Sequence, residues 1–243
     1  MQFTSEERLD DGTLERRFTL GDIPGILWTS AAPSAPSAPL VLIGHPGGLQ
    51  RMYPRLVGRA QQAVRNGLAA ATIELPGSGD RPPSADAERA RADLRHALAT
   101  GDPVDEVVDR LVLPLVEQAV PEWQAALDAL LPLPGIGGPV GYSGGPIAIG
   151  IRLALVEPRV AAAGLFAGSF VPRVMFDEAR RLTVPLHVLL QWDDEANDRQ
   201  LALDLFDAFG SEEKTLQANM GGHAGVPRHA GEDAARFFVR HLC

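Results

Sequence analysis

The chain has little with which to cross-link, anchor or attract a partner from outside. Cysteine occurs once, at Cys243, which excludes a disulfide within the chain and fits a cytoplasmic setting. Lysine also occurs once, at Lys214, beside many arginines, a bias of genome composition more than of chemistry. No apolar run is long enough to span a membrane, so no membrane span is expected. The opening residues, MQFTSEERLDDG, are polar and acidic, unlike the basic-then-apolar pattern of a secretory leader. Positive charge is outnumbered, 22 Lys and Arg against 31 Asp and Glu, and the resulting −9 repels phosphate backbones. Nucleic acid is therefore not an expected partner. Paired cysteines and His-x-x-x-His spacings are missing too, so no metal is expected.

What is present suits one soluble domain. Residues 1–243 are 45% hydrophobic, ample for a core, and 22% charged, ordinary for a soluble protein. TLERRFTL (13–20) and GILWTS (25–30) read as strands of an opening antiparallel meander. AAPSAPSAP (31–39) reads as an exposed loop, since the thirty residues before it are too few for a domain. From residue 40 onward, apolar strand-like runs alternate with helical spacing. LVLIGH (40–45), LAAATIEL (68–75), VAAAGLFAG (160–168) and VPLHVLLQW (184–192) are continuous apolar runs, as strands buried on both faces are. Between and after them, YPRLVGRAQQAVRNG, DRQLALDLFDAFG and EDAARFFVRHL read as helices, and EKTLQAN as a last strand. This alternation predicts an α/β fold: a mainly parallel, doubly wound sheet with helices on both faces. Residues 84–132 hold more helix than one crossover needs, so 84–115 is a candidate helical cap insertion over the sheet's carboxyl edge.

The candidate chemistry centres on GPVGYSGGPIAIG (138–150), where Gly141-Tyr142-Ser143-Gly144-Gly145 satisfies G-x-S-x-G. A strand precedes it and a helix follows, the setting in which a serine on a strained strand-to-helix turn becomes a nucleophile. Ser143 is the candidate nucleophile. The Gly144 N–H, at a helix N-terminus, is a candidate oxyanion donor. Such a serine needs a base. His96 and His241 read as solvated, His187 as a core histidine, and His45 as structural. His223 sits in the glycine-rich loop NMGGHAGVP after the last strand, where an imidazole reaches the sheet's carboxyl edge; His229 is the fallback. The orienting acid is expected in QWDDE, with Asp194 chosen ahead of Asp193 and Glu195. A second oxyanion donor is expected from IGHPGGLQ (43–50). Gly47 is the choice, Gly48 the alternative, and Pro46 has no N–H to give. That loop lacks the lysine of a G-K-[ST] motif, so no nucleotide and no other cofactor is expected.

HPGG, PGSGD, GYSGG and the Asp194/His223 pair fall in the chain order Ser…Asp…His. In these motifs the sequence, from about residue 13 to 242, resembles the α/β-hydrolase superfamily. Its compact size and the QWDDE…GGHAGVP tail resemble the dienelactone-hydrolase-like and small serine esterase group. Dienelactone hydrolases proper carry a cysteine where this chain has Ser143, and Pro46 departs from the usual His-Gly pair. The resemblance implies a serine hydrolase acting on a small-molecule carboxylic ester or related acyl compound through an acyl-enzyme. Acyl transferase, thioesterase or cyclase chemistry would use the same residues. A non-catalytic ligand-binding protein on a hydrolase scaffold is the alternative of another class.

Overall fold

The computed structural model describes residues 1–32, 36–195 and 197–243. Among them, nine strands form one sheet in the order β1-β2-β3-β5-β4-β6-β7-β8-β9. The strands are β1 (Gln2–Arg8), β2 (Thr13–Leu20), β3 (Ile23–Ser30), β4 (Ala38–Gly44), β5 (Ala69–Ile73), β6 (Ile136–Gly144), β7 (Val160–Phe166), β8 (Leu186–Gln191) and β9 (Lys214–Asn219). The helices are α1 (Leu49–Arg65), α2 (Ala85–Thr100), α3 (Asp105–Leu130), α4 (Ile147–Val156), α5 (Met175–Ala179), α6 (Arg199–Ala208) and α7 (Arg228–Leu242).

β1, β2 and β3 form the expected antiparallel meander, with β3 antiparallel to β5; from β5 through β4 to β9 all pairing is parallel. β1 has no counterpart in the sequence reading. It is exposed along its whole length, so it carries no apolar alternation to betray it. The five-residue α5 is likewise an addition. Of the proline-rich loop, residues 33–35 lie outside the described residues.

β4 shows why its residues form a strand between two helical layers. Leu40 and Leu42 enter a core shared with α3, α4 and α6, while Val41 and Ile43 enter a second core with α1 and α7. Successive side chains of a strand point to opposite faces, so both layers need apolar residues in one continuous run. Each such fully buried aliphatic side chain stabilises the fold by about 1.5–3 kcal/mol.

The chain runs outward from β4 to β5, then returns across β4 to β6. The strand order therefore reverses between β4 and β6, and the crevice above their carboxyl ends is the place where open α/β sheets bind ligands. The return passes through α2 and α3. Ser84 caps α2 by accepting from the Ala87 N–H, with Asp86 and Glu88 complementing the helix dipole. Gly101 ends it in the left-handed region. α2 packs against α3, joined by the Arg110–Asp93 ion pair. α3 then runs without a break into the core, where Val116, Trp123, Ala126 and Leu130 are buried. Arg81 holds Glu122 with two hydrogen bonds of 2.7 Å and so pins the PGSGD loop to α3.

Candidate active site

Three elements meet at the carboxyl edge of the sheet: the loop after β4, the loop after β6, and the pair of loops after β8 and β9. The first follows β4. His45 is buried; its Nε2–H donates to the Ile73 carbonyl (2.9 Å), which leaves Nδ1 to accept from the Gly47 N–H (3.0 Å). Burial holds its pKa below the ordinary histidine value. Glu74, at the end of β5, accepts from the N–H groups of Gly48 and Leu49, each at 2.8 Å, and from Leu75 (3.2 Å). Its carboxylate thus satisfies N–H groups that the start of α1 leaves free. These bonds correct the expectation for Gly47. Its N–H is spent on His45 and not turned to the crevice, and the Gly48 alternative is spent on Glu74. Glu74 was not anticipated, because a lone glutamate after an apolar strand looks like any strand-end charge.

The second loop follows β6. Ser143 lies within the strand, paired with Ile43 and Gly164. Among the described residues no non-glycine has a positive φ, so Ser143 does not hold the strained dihedrals expected of it. The bend falls one residue later, at Gly144 (φ +112°), and Pro146 caps α4. Gly144 must be glycine. A Cβ there would lie 2.7 Å from the Gly44 carbonyl oxygen and 2.8 Å from an Arg59 nitrogen. With glycine absorbing the turn, the serine is free to stay extended.

The Ser143 hydroxyl accepts a hydrogen bond from Arg59 Nη2 (2.9 Å), which also donates to the Ser143 carbonyl (2.6 Å); Nη1 donates to the Gly44 carbonyl (3.1 Å). Burial pushes the guanidinium pKa down to about 10. Arg59 was also missed. It sits among Arg51, Arg55 and Arg65 on α1, a run that reads as a solvated face, and only the packing of α1 on the sheet singles it out.

The third element is the pair of loops after β8 and β9. Asp194 is almost wholly out of solvent (side chain 2% exposed), and the His223 Nδ1–H donates to its Oδ2 at 2.7 Å. That leaves Nε2 as the ring's acceptor. Asp193 is exposed and accepts from the Gly221 N–H (3.2 Å), tying the two loops together. Glu195 is exposed, and His229 lies exposed in the first turn of α7. His96 is exposed on α2 as expected, while His187 is buried, stacked on Phe237, with Nδ1 against the Thr215 hydroxyl (3.1 Å). His241 departs from expectation: it packs against Phe237 and faces Glu213 at 3.3 Å.

β7 relates the serine to the histidine. The Ser143 Oγ lies 3.8 Å from the point a Gly164 side chain would occupy. Two residues on, Phe166 meets the His223 ring edge-on at 5.3 Å. Residues two apart share a face of a strand and lie roughly 6–7 Å apart, so Ser143 and His223 stand over the same face of β7. Among the described residues they share no hydrogen bond. No three His, Cys, Asp or Glu side chains among those residues cluster as metal ligands would, and no helix is long and apolar enough to cross a membrane.

The sheet order, the reversal between β4 and β6 and the helices on both faces are those of the α/β-hydrolase fold. The comparisons with known proteins agree. A cold-adapted esterase from an Arctic intertidal metagenomic library superposes over 100% of both chains at 27% identity, with a TM-score of 0.74. Acetyl xylan esterase 1 from Thermoanaerobacterium sp. JW/SL YS485 matches 98% of this chain and 87% of its own at 13% identity (TM-score 0.66), and a Pyrococcus furiosus esterase matches 99% and 93% at 8% (TM-score 0.62). The last two share the fold alone. No protein-family model matches the chain, nor does any curated protein.

Proposed function

We propose that this protein is a carboxylic ester hydrolase that works through Ser143, His223 and Asp194. The observation that carries the reading is the 2.7 Å bond from His223 to a carboxylate shielded from water, on the side of β7 over which Ser143 of β6 also stands. The full-length likeness to an esterase at 27% identity supports an ester as the substrate class. In the reaction, His223 Nε2 takes the Ser143 proton as Oγ attacks the ester carbonyl. Asp194 keeps Nε2 unprotonated at rest and stabilises the imidazolium that forms. The Gly144 N–H stabilises the oxyanion. His223 then protonates the departing alcohol, and water, deprotonated by His223, releases the acid from the acyl-serine. Gly47 has no N–H to give as a second donor, since its N–H is bound to His45.

The hairpin of α2 and the first turns of α3, residues 84–115, acts in this reading as a cap that shapes access to the crevice. Exposed apolar side chains on the His223 loop, Met220 (72% exposed) and Val226 (39%), suit an apolar group on the substrate. A fluorophosphonate probe tests the nucleophile. Wild type is expected to be labelled at Ser143, and Ser143→Ala to lose labelling and about three orders of magnitude or more of ester turnover with its fold intact. Near-normal turnover by folded Ser143→Ala refutes the mechanism.

A further inference from the structure

The half-buried Arg59 of α1 is the feature that the reaction above leaves unused. Its guanidinium lies in the notch between the carboxyl ends of β4 and β6, where the backbone of Gly144 leaves room for it and a Cβ would not. It is tied to three oxygens: the Gly44 carbonyl, the Ser143 carbonyl and the Ser143 hydroxyl. Among the described residues no carboxylate lies within ion-pair distance of it. A structural arginine in a fold this acidic would be expected to have such a partner, since even partial loss of water from an uncompensated cation is costly. Here the charge instead faces one hydroxyl and two carbonyls.

Resting on the serine-hydrolase reading, we propose that Arg59 is a further catalytic residue, which activates Ser143 by donating a charged hydrogen bond to its Oγ. Two consequences follow from the donor geometry. Arginine has donors only, so Oγ accepts from Nη2 and keeps its own proton for transfer elsewhere, to the imidazole across β7. As that proton leaves, negative charge grows on Oγ at 2.9 Å from a fixed cation. The attacking atom is therefore stabilised directly, and the two carbonyl bonds keep the guanidinium aligned. The burial-lowered pKa of about 10 leaves Arg59 charged at neutral pH.

The test separates charge from packing. Arg59→Gln keeps a side-chain donor without the charge; Arg59→Lys keeps the charge without the planar fork. Each is compared with wild type for the second-order rate of labelling by an uncharged fluorophosphonate, expressed per folded site after thermal melting. Loss of a charge-assisted bond to the nucleophile is expected to slow Arg59→Gln by about 10- to 100-fold, with Arg59→Lys clearly faster than Arg59→Gln. A folded Arg59→Gln labelled within about twofold of wild type overturns the inference, as does an Arg59→Lys no faster than Arg59→Gln, which assigns the residue to packing alone. Should Arg59→Gln not fold, Arg59→Met takes its place as the uncharged variant, judged by the same comparisons with wild type and Arg59→Lys. If wild type itself is not labelled at Ser143, the hydrolase reading fails and Arg59 falls with it. Labelled wild type with indifferent Arg59 variants removes only Arg59.

Discussion

Asp193 and Asp194 are adjacent and chemically identical, yet the structure gives them different surroundings, and exchanging each for asparagine isolates that difference. Asp194 is 2% exposed and takes the His223 Nδ1–H at 2.7 Å. In Asp194→Asn the side chain loses its charge, and with it a charge-assisted hydrogen bond worth about 1.5–3 kcal/mol to a forming imidazolium. The amide can also turn its NH₂ toward Nδ1, which moves the ring proton to Nε2 and removes the base. Together these are expected to lower turnover by about 10⁴-fold, or roughly 5.5 kcal/mol at about 1.36 kcal/mol per decade, the size of the effect in a well-studied triad. Asp193 is exposed and accepts only a 3.2 Å bond from Gly221, which an asparagine oxygen can also accept. Asp193→Asn should therefore cost less than about tenfold. The assay is kcat/KM on p-nitrophenyl acetate for both variants, with circular dichroism melts to establish folding. Comparable losses, or a larger loss in Asp193→Asn, would refute the assignment of the acid.

Other consequences are open to measurement. Glu74→Gln sets an NH₂ group against the N–H groups of Gly48 or Leu49 and should destabilise the fold by about 2–4 kcal/mol in urea unfolding; a change under about 0.5 kcal/mol would mean water satisfies those donors equally well. The buried His45 has its pKa depressed below 6.5, so its neutral form is the one that folds, and the unfolded chain takes up the proton first on acidification. Its stabilising contribution is complete above about pH 6.5 and is lost as pH falls toward the folded-state value. His45→Asn should flatten the melting temperature between pH 7 and 5 relative to wild type, and parallel profiles would remove His45 as a cause. Shortening 84–115 should change the ratio of turnover on long and short p-nitrophenyl esters more than it changes phosphonate labelling; equal losses everywhere would make α2 a structural crossover and not a cap.

The α/β alternation is legible in the residues alone, because strands buried on both faces must be continuously apolar, as VLI (41–43) and VAAAGLF (160–166) are. The sequence also held the candidate residues in legible order, since glycines around Ser143, aspartates after β8 and a glycine-rich histidine loop after β9 each follow a strand end. It could not reveal β1, whose exposure leaves no pattern, nor the extended backbone of Ser143, where Gly144 absorbs the turn at φ +112°. Which polar groups meet depends on how the elements pack. His45 takes the Gly47 N–H, Glu74 takes those of Gly48 and Leu49, Asp194 and not Asp193 reaches His223, and Arg59 lies 84 residues from the serine whose hydroxyl it holds. Hydrogen bonds act over about 3 Å and depend on direction, whereas periodicity reports only which face of an element avoids water.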